Sequence, residues 1–223
     1  MTIDTNAAPT DILLIRHGET AWNAERRLQG HLDIPLNAEG ERQAALLAAA
    51  LAAESIDAVV SSDLMRARQT AQAVADIKGL PLRQDAQLRE RGYGGFEGLL
   101  YSEIEQRFPR EFAAWQARDV DASLPAGRNT AETFRAFFAR CTGAILRLAA
   151  ASPGTTLALV AHGGVLECAY RLARGLPLDT PRDFKVYNAS INRFRYHPSD
   201  GRLELCSWGE VEHLRPAVLD ELP

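Results

Sequence analysis

A chain of 223 residues is long enough to bury a sizeable core and suits a single α/β domain. Its 46% hydrophobic and 24% charged content is that of a soluble globular protein, and no apolar run reaches the ~18–20 residues that span a bilayer. The net charge of −4 argues against general nucleic-acid affinity, yet it leaves room for a local arginine cluster that holds an anion.

Asp11–Ile15 is a short apolar run that fits a buried strand and stops at Arg16-His17-Gly18. Ala38–Glu54, rich in alanine and leucine behind a capping Asn37, predicts a helix. Ile56–Ser61 predicts a second strand, and Leu64–Lys78 a helix that Gly79-Leu80-Pro81 stops. Tyr93–Gly127 breaks this rhythm and reads as an insertion over the mouth of a site, with short helices at Tyr101–Phe108 and Arg110–Arg118. Thr130–Ala151 carries apolar residues near helical spacing, Thr155–Ala161 is strand-like, and Gly164–Arg174 is a helix closed by Gly175. Val186–His197, a Pro198–Gly201 turn and Arg202–Trp208 predict a hairpin.

Strands alternating with helices predict an α/β fold: one three-layer domain with a mixed, mainly parallel sheet, helices on both faces and antiparallel pairing at one edge. The expected boundaries are a loose polar leader over residues 1–10, a domain over 11–210 with the insertion at about 93–127, and a tail over 211–223. The leader shows no basic segment followed by an apolar one, so no secretory signal is expected and the cytoplasm is the expected location. Cys141, Cys168 and Cys206 are widely spaced without a C-x-x-C pattern, which favours small buried hydrophobes over a disulfide framework or a thiolate metal site. Val186 and Phe194 fit either core or a homodimer contact.

Two apolar strands end alike, in Leu14-Ile15-Arg16-His17-Gly18 and in Val160-Ala161-His162-Gly163-Gly164. Ligands of open α/β sheets bind beyond the carboxyl ends of the strands, so adjacent strands would bring His17 and His162 to one crevice. A zinc site generally wants three protein ligands, and His31, His197 and His213 lack ligand spacing. Neither a metal nor another cofactor is expected. Arg16 instead favours phosphate, whose oxygens a guanidinium fork matches bidentately. Arg66, at the start of a helix, is misplaced for the helix dipole unless an anion sits there with it.

Leu13–Asn23 (LLIRHGETAWN) closely resembles the signature of the histidine phosphatase superfamily, the phosphoglycerate mutase-like fold. The resemblance continues through Arg27-Leu28-Gln29-Gly30, Asp33–Asn37, Ser61–Ala71 (SSDLMRARQTA), Leu88-Arg89-Glu90, Gly94–Gly98 and Val160–Gly164. It implies that His17 is phosphorylated in turnover, that Arg16, Arg66 and His162 clamp the phosphoryl group, and that Glu90 is the general acid/base. Asn23, Gln29 and the Gly163 backbone are implied as further phosphate contacts, and Glu97 is read as support for its own loop.

The activity so implied is metal-independent hydrolysis of a small phosphorylated metabolite. A phosphoglycerate mutase is the alternative, and a non-catalytic phospholigand-binding protein is a third reading. Arg91-Gly92-Tyr93-Gly94-Gly95 resembles the mutase branch and makes Tyr93 a candidate substrate contact. Against a mutase, the insertion has only scattered Arg107, Arg110 and Arg118, with no adjacent basic pair for a substrate carboxylate. Gly127-Arg128-Asn129 stands where related phosphatases carry Gly-Glu-Ser, which makes Arg128 a candidate contact for a second anionic group.

Overall fold

In the computed structural model, which describes residues 7–214, β1 (Thr10–Arg16) leads through a short helix α1 (Ala21–Ala24) to α2 (Ala38–Leu51). Next come β2 (Ala58–Ser61), α3 (Met65–Lys78) and β3 (Leu82–Gln84). The insertion holds α4 (Tyr101–Arg107) and α5 (Pro109–Gln116). The chain continues through α6 (Phe134–Ala150), β4 (Thr156–Ala161), α7 (Gly163–Arg174), β5 (Ile191–His197) and β6 (Arg202–Glu210). The strands form one sheet in the order β3-β2-β4-β1-β5-β6. The first four in that order are parallel, and β5 and β6 add antiparallel pairing at one edge.

The central strands β1 and β4 are apolar at nearly every position because both of their faces are covered. Ile12, Leu14, Leu157 and Leu159 pack under Phe137 and Ile145 of α6 and Val165 and Leu166 of α7. Leu13, Ile15, Ala158 and Val160 face the other way, against Leu47 and Leu51 of α2 and Ala67 and Val74 of α3. The helices begin and end on recognisable signals. Asn37 accepts a hydrogen bond from the Gly40 amide (2.8 Å) to cap α2, Thr133 caps α6 through the Ala136 amide, and α3 closes at Gly79 in the left-handed region.

The sequence patterns misplace several segments. Thr10 is not part of a loose leader: it opens β1, is fully buried, and donates to the Ala149 and Ser152 carbonyls. At the other end, Leu214 is buried in a 3-10 turn and His213 Nε2 donates to the Ala189 carbonyl; residues 1–6 and 215–223 of the expected leader and tail lie outside the described residues. β5 starts at Ile191 rather than Val186, because residues 186–190 leave the ladder to support the site described below. β3 is a three-residue edge strand and α1 a single turn, both too short to leave a periodic pattern. Val186 and Phe194 are 1% and 2% exposed and belong to the core.

The insertion carries its own small core, in which Phe96, Ile104 and Leu124 pack with Tyr93, Phe108 and Trp115. Among the described residues, no helix is long and apolar enough to cross a membrane.

Candidate active site

The register of β1 against β4 sets Arg16 opposite Ala161, so His17 and His162 are the next residues off two adjacent strands. The ladder runs one step further, since the His17 amide donates to the Ala161 carbonyl at 3.0 Å. The two imidazoles lie with ring centroids 5.2 Å apart. His17 is 3% exposed and His162 is fully buried.

His17 Nδ1 lies 2.6 Å from the Gly18 carbonyl oxygen. A carbonyl only accepts, so Nδ1 carries the proton and the neutral ring keeps its lone pair on Nε2. Burial, followed by the charges of Arg66 and Arg16, holds the His17 pKa well below the usual histidine range. The backbone around the ring is tied from three sides. Gly18 N donates to Thr70 Oγ1 (2.9 Å), Asn188 Nδ2 donates to His17 O (3.0 Å), and the Ala189 amide donates to Arg16 O (3.1 Å).

Arg16 and Arg66 are both essentially buried. Arg16 Nη1 donates to Val186 O at 2.7 Å, the contact for which residues 186–190 leave the sheet. Arg66 uses Nη2 on Gly30 O (2.8 Å) and Nη1 on Leu32 O (2.9 Å), while its buried Nε has no protein partner among the described residues. Burial draws the Arg66 pKa down to about 10, which leaves it cationic at neutral pH. His162 caps α7 by position, yet both of its ring nitrogens are buried without a hydrogen-bond partner among the described residues. Burial and then Arg66 hold its pKa well below the usual range too. Buried cations and orphaned ring nitrogens, at the start of a helix whose dipole favours negative charge, make a site shaped for an anion.

A cavity of about 490 Å³ opens onto this cluster, lined on its inner side by His17, Asn23, Gln29, Arg66, Glu90 and Gly163. Arg16 and His162, both fully buried, are not among the residues that line it. Asn23 Oδ1 accepts from the Thr20 amide (3.1 Å), and buried Gln29 Oε1 has no protein partner among the described residues. Glu90 Oε1 accepts from the Arg91 amide (2.8 Å), and its Oε2 accepts from the Gly164 amide (3.0 Å). Gly164 allows that approach, since a Cβ there would lie 2.2 Å from the Glu90 carboxylate. The outer wall includes Tyr93, Tyr101, Trp115 and Phe134, with Arg118 hydrogen-bonded to Glu167. Among the described residues, no group of three or more His, Cys, Asp or Glu side chains is placed to hold a metal ion.

Glu97 is tied to three backbones or side chains, accepting from the His31 and Tyr93 amides and from Asn129 Nδ2. It braces loops, as the sequence indicated. Arg128 is exposed on a separate shallow surface and does not line the cavity, so the expected second-anion contact is not where the sequence put it. Sequence reasoning missed Thr70, although it lies within the Ser61–Ala71 motif, and it missed Asn188 and the Val186 carbonyl, whose ties to the site no motif spacing announces. It also read His31 as a bystander, although its Nε2 donates to Glu90 O at 2.7 Å.

The sequence profile described as "Histidine phosphatase superfamily (branch 1)" matches residues 12–209. Phosphoglycerate mutase-like protein 4 of Arabidopsis thaliana is 39% identical over 92% of this chain and 86% of its own length. Among solved structures, YhfR of Bacillus stearothermophilus superposes with a TM-score of 0.81 at 32% identity, covering 92% of this chain and all of that one. A mycobacterial glucosyl-3-phosphoglycerate phosphatase superposes with a TM-score of 0.79 at 30% identity over 91% of this chain and all of its own. By profile, identity and architecture together, the chain belongs to branch 1 of the histidine phosphatase superfamily.

Proposed function

We propose that the chain is a phosphomonoesterase that hydrolyses a small phosphorylated metabolite through a phosphohistidine on His17. The observation that carries this reading is the His17 ring itself. Its Nδ1 is committed to the Gly18 carbonyl, its pKa is depressed, and it lies beside His162 and two buried arginines.

In the first displacement, Nε2 attacks phosphorus in line; an N–P bond forms as the bond to the leaving oxygen breaks. Such transfers need positioning and neutralisation of the equatorial oxygens more than covalent help. Arg16, Arg66 and His162 supply positive charge or donated hydrogen bonds, and Asn23, Gln29 and the Gly163 amide add contacts. Glu90 gives its proton to the leaving alkoxide. In the second displacement Glu90 takes a proton from water as the water oxygen attacks phosphorus. The N–P bond then breaks, releasing phosphate and restoring neutral His17. Acid–base help of this kind is worth ~10²–10⁴-fold.

A phosphoglycerate mutase uses the same chemistry with a sugar-acid hydroxyl in place of water. That second reading draws on Arg91 and Tyr93 in the cavity wall and on the mutase-like name of the plant relative. The first is favoured because Arg107 and Arg110 are exposed outside the cavity and Arg118 is engaged by Glu167. Among the described residues of the insertion, the one arginine that lines the cavity, Arg118, is thus already engaged by a carboxylate. The test is a substrate panel of 3-phosphoglycerate, with and without 2,3-bisphosphoglycerate, beside sugar and nucleoside phosphates. Release of inorganic phosphate that survives EDTA supports the phosphatase. Rapid production of 2-phosphoglycerate supports the mutase, and no turnover of any phosphoester supports a ligand-binding protein.

A further inference from the structure

Glu90 lies in a stretch of irregular backbone, so no helix or strand of its own holds the main chain that carries its carboxylate. One guanidinium, from Arg140 on α6, ties that main chain from outside the cavity. Its Nη1 donates to Gln87 O (2.8 Å) and Arg89 O (3.1 Å), and its Nη2 donates to Glu90 O (3.0 Å). The same guanidinium grips Glu132 through Nε (2.7 Å) and Nη2 (2.7 Å), and it lies over the Phe137 ring at 5.2 Å. Glu132 closes the frame from the other side of Glu90. Its Oε2 accepts from the Gly92 amide (2.8 Å), and its carbonyl accepts from Arg91 Nε (2.9 Å). The loop is therefore held on both flanks of residue 90 by one ion pair, whose partners are 17% and 15% exposed at the side chain.

We infer that the Arg140–Glu132 pair is a positioning unit for Glu90, setting where its carboxyl stands when the leaving group is protonated. Neither residue lines the cavity, so the pair acts through Glu90 and not on the substrate. A lysine cannot replace the arginine: an ammonium is a compact point donor, whereas this site needs a planar fork that reaches three carbonyls and a carboxylate at once. The inference rests on Glu90 acting as the general acid.

The test separates positioning from mere stability by leaving-group dependence. Values of kcat/KM, which report steps up to phosphorylation of His17, are measured for p-nitrophenyl phosphate, phenyl phosphate and an alkyl phosphate. The enzymes compared are wild type, Arg140→Lys, Glu132→Gln and, as reference, Glu90→Gln. An acidic phenol leaves without a proton, whereas an alkoxide does not. Arg140→Lys and Glu132→Gln are each expected to lose at least about tenfold on the alkyl ester while staying within about threefold on p-nitrophenyl phosphate. Affinity for inorganic phosphate should be unchanged in both. A loss that is uniform across leaving groups, or no loss at all, overturns the inference. If Glu90→Gln is selective and the two pair variants are not, only the positioning role falls. If Glu90→Gln shows no selectivity, the acid/base role of Glu90 falls and the inference with it.

Discussion

Acidification should destabilise this protein through two imidazoles. His17 and His162 are 3% and 0% exposed, and burial with nearby arginines holds both pKa values well below the ordinary 6.5. Below 6.5 the unfolded chain therefore binds protons on both rings that the folded chain refuses. The stability from these neutral rings is fully present above 6.5 and is lost as the pH falls from 6.5 toward the folded-state values. The slope is about half of 2.303RT per ring at pH 6.5 and approaches ~1.4 kcal/mol per pH unit for each ring below it, while the folded rings stay neutral. Urea denaturation at successive pH values measures it. The control is a double variant, His17→Gln with His162→Gln, which keeps the carboxylate contribution and should lose most of the slope just below 6.5. Saturating inorganic phosphate should flatten the wild-type slope, because a bound anion favours protonated rings. Equal slopes in wild type and double variant would refute the assignment of two buried neutral histidines.

Gly164→Ala places a methyl group 2.2 Å from Glu90 Oε1, so kcat should fall by at least about tenfold while the far-ultraviolet circular dichroism spectrum is unchanged; a normal rate would contradict the placement of that carboxylate. Phe96→Ala removes a fully buried ring that lies 5.7 Å from both Phe108 and Trp115. It should cost ~3–5 kcal/mol, raise KM and speed proteolysis within the insertion; unchanged proteolysis would mean that the small core does not hold the lid. Arg128→Ala should leave kcat and KM as they are, and a rise in KM would return Arg128 to the substrate site.

The parts of the fold that rest on long periodic segments were legible. The two matched strand–histidine–glycine endings pointed to a shared crevice on the condition that their strands are neighbours, and the β1–β4 register with the 3.0 Å bond from the His17 amide to the Ala161 carbonyl meets that condition. Helix α2 was visible from its alanine and leucine content behind Asn37, α3 and α7 from their glycine stops, and α6 from the helical spacing of its apolar residues. Short or exposed elements such as α1 and β3 left no pattern to read. Val186–Ser190 misled because apolar residues beside a strand look like more strand. Their task is to bring the Val186 carbonyl to Arg16 and Asn188 to His17, which depends on tertiary position alone.

The candidate site divides in the same way. Side chains within the Arg-His-Gly and Ala-His-Gly-Gly motifs could be named from the chain, and the structure brings them together. The Arg140–Glu132 frame could not be, because Arg140 stands 50 and more positions from the carbonyls it holds and Glu132 stands 40 from the Gly92 amide.

The most direct measurement is rapid quenching of a turning-over sample, followed by mass-spectrometric mapping of the trapped phosphate. Acid-labile, base-stable phosphate on Nε2 of His17 is expected, since Nδ1 is bound to the Gly18 carbonyl. Phosphate trapped on Nδ1 or on another residue would contradict that expectation, as would full-rate turnover by His17→Ala.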